Sequence, residues 1–277
     1  MNINLIGLNR NTRTAGPGTR LEYFTKGCIR GVVNPCAGCF NQETWTFEGD
    51  KRGMTTEELA EHALSFAYNG LITFCGGEPM LQAKAITDVA RRVKEQNQDA
   101  HIIMYTAYNF ESLMKHGLKF TWIREQHGDA MYNALVEYSS SFKVIEHDDE
   151  ADFSAWAKRV EFQILTEEDV RQLMLHVDVI VDGDYQADKR LTKAKHMHEG
   201  WFIGSANQRV INSTETLLSG ELDYLTAEEF NKLMIQIPTC KDCGSPMPYD
   251  NQGYCSATCS NLHKCYVEGI EMGAPVQ

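Results

Sequence analysis

Short apolar runs alternate with amphipathic stretches along most of this chain. Residues 70–75 (Gly-Leu-Ile-Thr-Phe-Cys), 101–106 (His-Ile-Ile-Met-Tyr-Thr) and 177–182 (Val-Asp-Val-Ile-Val-Asp) predict strands. Their β-branched, nearly continuous apolar character suits parallel strands covered on both faces. The opening segment, Asn2 to Ile6, predicts a first strand. Helical patterns lie between. Thr55 and Glu58 have capping-box spacing, and Leu59, Ala63 and Phe66 give the helix that follows an apolar face. Residues 82–96 predict a second helix, and Thr166 to Asp169 and Thr226 to Glu229 read as two further helix starts. Repeated βα units imply an α/β domain with a parallel sheet.

Two stretches break the rhythm. Residues 117–165 mix Trp122, Phe142 and Trp156 with the acidic run His147-Asp148-Asp149-Glu150, and predict an insertion between two βα units. After Pro238 the composition shifts to a Cys-rich tail. The expected organisation is one domain over 1–235, with the insertion, and a small metal-binding tail over 236–277.

Charge and length narrow the function classes. The 277 residues carry a net charge of −12, which gives no support for nonspecific binding to nucleic acid or anionic membrane. No apolar run approaches the ~20 residues of a membrane helix. Met1 to Ile6 lacks the basic start of a signal peptide, so a cytoplasmic location is the expectation.

Nine cysteines are many for such a chain, and they cluster: 28, 36 and 39, then 240, 243, 255, 259 and 265, with Cys75 apart. An odd total with CxxC spacings favours metal thiolates over disulfides. Cys28, Cys36 and Cys39 supply three thiolates and no obvious fourth. Closed structural zinc wants four ligands, whereas three on a cubane leave one iron open. Cys240, Cys243, Cys255 and Cys259 fit a closed tetrahedral Zn2+ site; a second iron–sulfur cluster using Cys265 is the alternative. Cys75 reads as a small buried strand residue. His196 and His198 are assigned no role.

The flanking residues carry a resemblance. Gly16-Pro17-Gly18-Thr19-Arg20, then Phe24-Thr25-Lys26-Gly27-Cys28, then Cys36 and Cys39 with Asn41, Thr44 and Trp45, form an ordered set. So do Gly76-Gly77-Glu78-Pro79, Met104 to Tyr108, Val177 to Gly183, and Gly204-Ser205-Ala206-Asn207-Gln208-Arg209. Together they resemble the anaerobic ribonucleotide reductase activating enzymes, in the glycyl-radical-activating branch of the radical S-adenosylmethionine superfamily. One departure stands out: the first cysteine gap is seven residues, Ile29 to Pro35, where the superfamily usually has three.

The resemblance implies a partial (β/α)6 TIM-like barrel and a 4Fe-4S cluster on Cys28, Cys36 and Cys39. It implies S-adenosyl-L-methionine on the open iron, with contacts from Gly38, Phe40, Gly76, Gly77, Glu78, Thr106, Tyr108, Asn207 and Gln208. Phe40 would pack on adenine, and the Gly76-Gly77 backbone or Glu78 would receive the methionyl ammonium. The implied partners are an anaerobic ribonucleoside-triphosphate reductase, whose glycine would lose a hydrogen atom, and a flavodoxin or ferredoxin as electron donor. Two rivals stay open: a radical enzyme acting on another protein or small molecule, and a metal-stabilised module without catalysis.

Overall fold

The computed structural model of the chain describes residues 1–49, 51–67, 69–147, 157–191 and 202–235. The tail with Cys240, Cys243, Cys255, Cys259 and Cys265 lies outside the described residues, as do Trp156, His196, His198 and the acidic residues 148–150.

The chain folds as a mixed α/β structure on an eight-stranded sheet, whose strands are β1 (Asn2–Thr12), β2 (Arg20–Thr25), β3 (Arg52–Thr55), β4 (Leu71–Gly76), β5 (His101–Tyr105), β9 (Val179–Asp182), β10 (Arg209–Asn212) and β11 (Asp223–Tyr224). Their spatial order is β11-β10-β9-β5-β4-β2-β1-β3. The middle four, β2, β4, β5 and β9, run parallel. Beyond them β1, β3, β10 and β11 pair antiparallel. The resemblance implies six βα units; among the described residues the parallel run has four strands. One reason is local: β1 and β2 are joined by residues 13–19, too short for the crossover that parallel neighbours need.

Helices α2 (Thr56–Phe66), α3 (Ala83–Gln96) and α6 (Glu167–Met174) cover one face. Leu59 and Ala63 of α2, Ile86 and Val89 of α3 and Val170 and Leu173 of α6 join Ile72, Phe74, Ile102 and Met104 in the main core. Ile103, one residue out of step on β5, points the other way and packs with Val179, Val181, Phe202 and Phe230. The capping boxes at Thr55–Glu58 and Thr166–Asp169 are both closed, and Thr226 and Glu229 bond reciprocally at the start of α8 (Ala227–Ile235). Phe66 departs from the expected apolar face. It is exposed, with the Arg10 guanidinium 3.8 Å above its ring.

Residues 118–165 carry a sheet of their own. Strands β6 (Leu118–Ile123), β8 (Ala157–Leu165) and β7 (Ser141–His147) pair antiparallel in that order. Helix α5 (Arg124–Tyr138) packs on it and breaks at Gly128, whose φ is 69°. The Gly128 carbonyl accepts a bond from the fully buried Trp122 indole, 2.9 Å away.

Arg20 fills the interior at the amino end of β2. It is completely buried; Nε donates to Thr73 Oγ1 at 2.7 Å, and Nη2 to the carbonyls of Ile72 and His101, both at 2.7 Å. Nη1 reaches the Pro17 carbonyl, so one side chain ties the Gly16–Gly18 turn to two strands. Burial pulls its pKa down to about 9. Arg20→Leu leaves several buried acceptors without donors, at about 1–3 kcal/mol each, partly offset by the charge no longer buried. A net loss of about 3 kcal/mol is expected in urea unfolding of the apoprotein; an unchanged midpoint would remove Arg20 from this role.

Candidate functional site

The loops that follow β2, β4, β5 and β9 meet at one end of the sheet, where strand carboxyl ends gather in parallel folds. They surround a cavity of about 460 Å³. Cys28, Cys36 and Cys39 line it together with Phe40, Gly76, Gly77, Thr106, Tyr185 and Gln208. Glu22, Phe24, Cys75 and Tyr105 also line it.

Cys28 sits where β2 ends and helix α1 (Ile29–Val33) begins. It caps that helix, with Sγ accepting from the Gly31 amide at 3.2 Å. The Asn41–Trp45 turn fixes it from the other side: Gly27 N donates to Thr44 O at 2.8 Å and Cys28 N to Trp45 O at 2.9 Å. Burial, then the nearby Glu78 charge, push the Cys28 thiol up to about 12, with the Gly31 N–H opposing. Among the described residues, no three Cys, His, Asp or Glu side chains stand close enough to share one metal ion. Three thiols lining one cavity suit a cluster with one iron left open, because closed structural zinc takes four ligands.

The glycines serve the strand ends as well as the cavity. Gly76 has φ 102°, and a Cβ there would lie 2.6 Å from Thr25 N. A Cβ on Gly77 would lie 2.4 Å from Gly27 O. The close approach is to the backbone of residues 24–27, which also takes the amides: Gly77 N donates to Thr25 O and Glu78 N to Gly27 O, both at 2.9 Å. Gly38 needs its freedom for conformation alone, with φ 74° and only ordinary contacts to Tyr185 and Ala187.

Of the other residues expected to bind a cofactor, Phe40, Thr106 and Gln208 line the cavity, while Gly38, Glu78, Tyr108 and Asn207 are not among its lining residues. Glu78 is 1% exposed, and its carboxylate accepts from Met80 N, Ala107 N and Thr106 Oγ1 at 2.8–2.9 Å. Burial pushes its pKa up to about 7 against those bonds. Its oxygens join β4 to the loop after β5. Thr106 also accepts from Tyr108 N at 3.1 Å. Gln208 is spent as a latch, accepting from Gly204 N at 2.7 Å and donating to Gly183 O at 3.0 Å. Asn207 donates to Asp184 O at 2.8 Å, while its Oδ1 is buried without a hydrogen-bond partner. Phe40 is largely exposed, its ring centroid 4.8 Å from that of Tyr185.

Glu22 belongs to no motif in the sequence. It shares the inner face of β2 with Arg20 and Phe24, and the period of two carries that signal. Cys75 is buried on β4, as expected, and its thiol donates to Glu22 Oε1 at 3.1 Å. Burial holds that thiol protonated, well above the ordinary range. Cys75→Ser keeps a donor for Glu22, so reconstituted protein is expected to bind as much iron and sulfide as wild type. Loss of iron in this variant would make Cys75 a ligand.

Residues 14–140 match a family described as a 4Fe-4S single cluster domain. The chain is 36% identical over 110 residues to the pyruvate formate-lyase-activating enzyme of Clostridium pasteurianum, covering 36% of this chain and 43% of the relative. It is 32% identical over 105 residues to the anaerobic ribonucleoside-triphosphate reductase-activating protein of Vibrio cholerae, covering 35% of this chain and 64% of the relative. A third match, 30% over 117 residues, is the pyruvate formate-lyase-activating enzyme of Staphylococcus aureus, with 36% and 44% covered. The similarity thus spans less than two thirds of each relative's length. Among the described residues, no helix is long and apolar enough to cross a membrane.

Proposed function

We propose that this chain is a radical S-adenosylmethionine activase that generates a glycyl radical on an anaerobic ribonucleoside-triphosphate reductase. The observation that carries the reading is one cavity lined by three cysteine thiols and by the Gly76-Gly77 strand end. The family match to a single 4Fe-4S domain and the two kinds of activating protein among the relatives support it.

Cys28, Cys36 and Cys39 would hold the cluster, leaving one iron for S-adenosylmethionine. When bound, the two groups supply a one-electron cleavage that ends in removal of a hydrogen atom from the substrate. The chain's own residues position them. Backbone groups at Gly76 and Gly77 would receive the methionyl end, and Thr106, held by Glu78, lines the same cavity. Phe40 offers a ring to adenine, with Tyr185 behind it. Phe24 and the Glu22–Cys75 pair close the deep wall, and the Tyr105 hydroxyl donates to Phe202 O at 2.6 Å beside them. These contacts shield the reacting groups from water. A partner glycine suits the abstraction because no side chain blocks its α-carbon.

The same reading takes the sheet as part of a (β/α)6 barrel over 1–235, with the insertion at 117–165. It takes 236–277 as a zinc-bound tail, a flavodoxin or ferredoxin as electron donor and the cytoplasm as location. Anaerobic incubation with purified reductase, reductant and S-adenosylmethionine tests the function. A glycyl signal on the reductase together with deoxyadenosine is expected. Deoxyadenosine without that signal would move the activity to another protein or to a small molecule.

A further inference from the structure

Part of the cavity lining comes from neither the cysteine loop nor the glycine strand end. The first hairpin supplies it: Asn9 and Thr12 on β1, Thr14 in the turn, and Glu22 and Phe24 on β2. Asn9 and Glu22 are opposite each other in the strand register. Glu22 is 9% exposed, yet it borders the cavity. Its Oε1 accepts from the Cys75 thiol at 3.1 Å. Cys75 precedes Gly76, so the carboxyl lies beside the strand end that would receive the methionyl group. A carboxyl group can accept about four donors, and one thiol leaves much of that capacity unused. Burial also raises the Glu22 pKa, the mark of a group short of water.

A buried acceptor on a cavity wall favours a ligand that brings an N–H, because that donor replaces hydration the carboxyl has lost. Asn9, Thr12 and Thr14 add neutral donors and acceptors to the same wall. Peptide backbone, with N–H and C=O in alternation, matches such a set. We propose that Glu22 is a specificity-determining residue that accepts a backbone N–H of the partner's polypeptide beside the glycine that loses its hydrogen atom, with Asn9, Thr12 and Thr14 lining the path of that segment. The inference rests on the activase reading above.

The test pairs the side chain with the peptide. Peptides spanning the reductase's reacting glycine carry a single N-methyl group on successive backbone amides. Their binding to reconstituted wild type and Glu22→Leu, at equal iron content and with S-adenosylmethionine but no reductant, is read by fluorescence anisotropy. Glu22→Leu is expected to weaken the unmodified peptide about tenfold, the effect of one hydrogen bond to a buried carboxyl. At one amide, methylation should cost wild type a similar factor and Glu22→Leu less than about twofold. Equal losses on both proteins at every amide overturn the proposal. Should the peptides not bind wild type, the whole reductase replaces them, read by the concentration giving half-maximal glycyl radical. A value about tenfold higher for Glu22→Leu with kcat unchanged supports the proposal, and an equal value overturns it. Should Glu22→Leu take up no iron, Glu22→Thr, a strand-compatible side chain too short to reach the cavity, takes its place with the same outcomes. Wild type that forms deoxyadenosine but no glycyl radical would instead overturn the activase reading itself.

Discussion

Cys28→Ser protein, reconstituted anaerobically, is expected to lose the 4Fe-4S signature and to make deoxyadenosine at least about a hundredfold more slowly than wild type. The serine is chosen for a structural reason. Its hydroxyl can still accept from Gly31 N, the bond that caps α1, so the fold around the site is retained. Thermal unfolding of the apoprotein should therefore match wild type. Cys36→Ser and Cys39→Ser are expected to act alike, because each removes one of three thiolates and the cavity offers no fourth cysteine other than Cys75 among its described lining residues. Cys75 is engaged with Glu22 and lies on the strand, below the loop. A Cys28→Ser protein that keeps full iron and full deoxyadenosine formation would show the cluster to be held elsewhere.

The second large effect is expected on the fold. Gly76→Ala forces a side chain onto a residue with φ 102° and drives its Cβ to 2.6 Å from Thr25 N and 2.7 Å from Phe24 Cα. Gly77→Ala puts a Cβ 2.4 Å from Gly27 O and 3.0 Å from Thr25 O. These neighbours are backbone, which cannot swing aside as a side-chain tip can. Overpacking costs about 1–3 kcal/mol and the left-handed conformation about 1–2 more. Gly76→Ala should therefore lose about 4 kcal/mol in denaturant unfolding and Gly77→Ala somewhat less. Both should also impair iron uptake, because the displaced segment leads directly into Cys28. A change within about 0.5 kcal/mol, ordinary for a surface substitution, would contradict this account of the strand end.

Much of the framework was legible because local signals are strong where a segment answers to one demand. The runs at 70–75, 101–106 and 177–182 became β4, β5 and β9, since strands covered on both faces must be apolar throughout. Thr55, Thr166 and Thr226 start helices because capping needs only residues three apart. Phe66 fits the helical period yet is exposed, and periodicity cannot show that Arg10 offers it a cation. Strand direction was harder. The antiparallel β1–β2 pairing depends on the length of the 13–19 turn, and β10 pairs antiparallel with β9 across a long connection whose course the pattern does not set.

At the site, motif residues came together, but their tasks depend on partners distant in sequence. The spacing of Gly76-Gly77 says nothing of the backbone at 24–27 that fills the space beside it. Glu78 looks free in the sequence, yet its acceptors are taken by Met80, Thr106 and Ala107. Gln208 likewise closes its own loop. Arg30 and Asp184 are 154 positions apart, and no local pattern announces an ion pair of that kind.

The central claim is an iron with a coordination position that the protein leaves vacant. The most direct measurement is electron–nuclear double resonance on the reduced, reconstituted protein with S-adenosylmethionine labelled in its amino nitrogen and carboxylate oxygen. Hyperfine coupling from both labels is expected, because both groups would bind one iron of a cluster held by Cys28, Cys36 and Cys39. Spectra unchanged by the labels, on a cluster shown to be assembled and reduced, would contradict it.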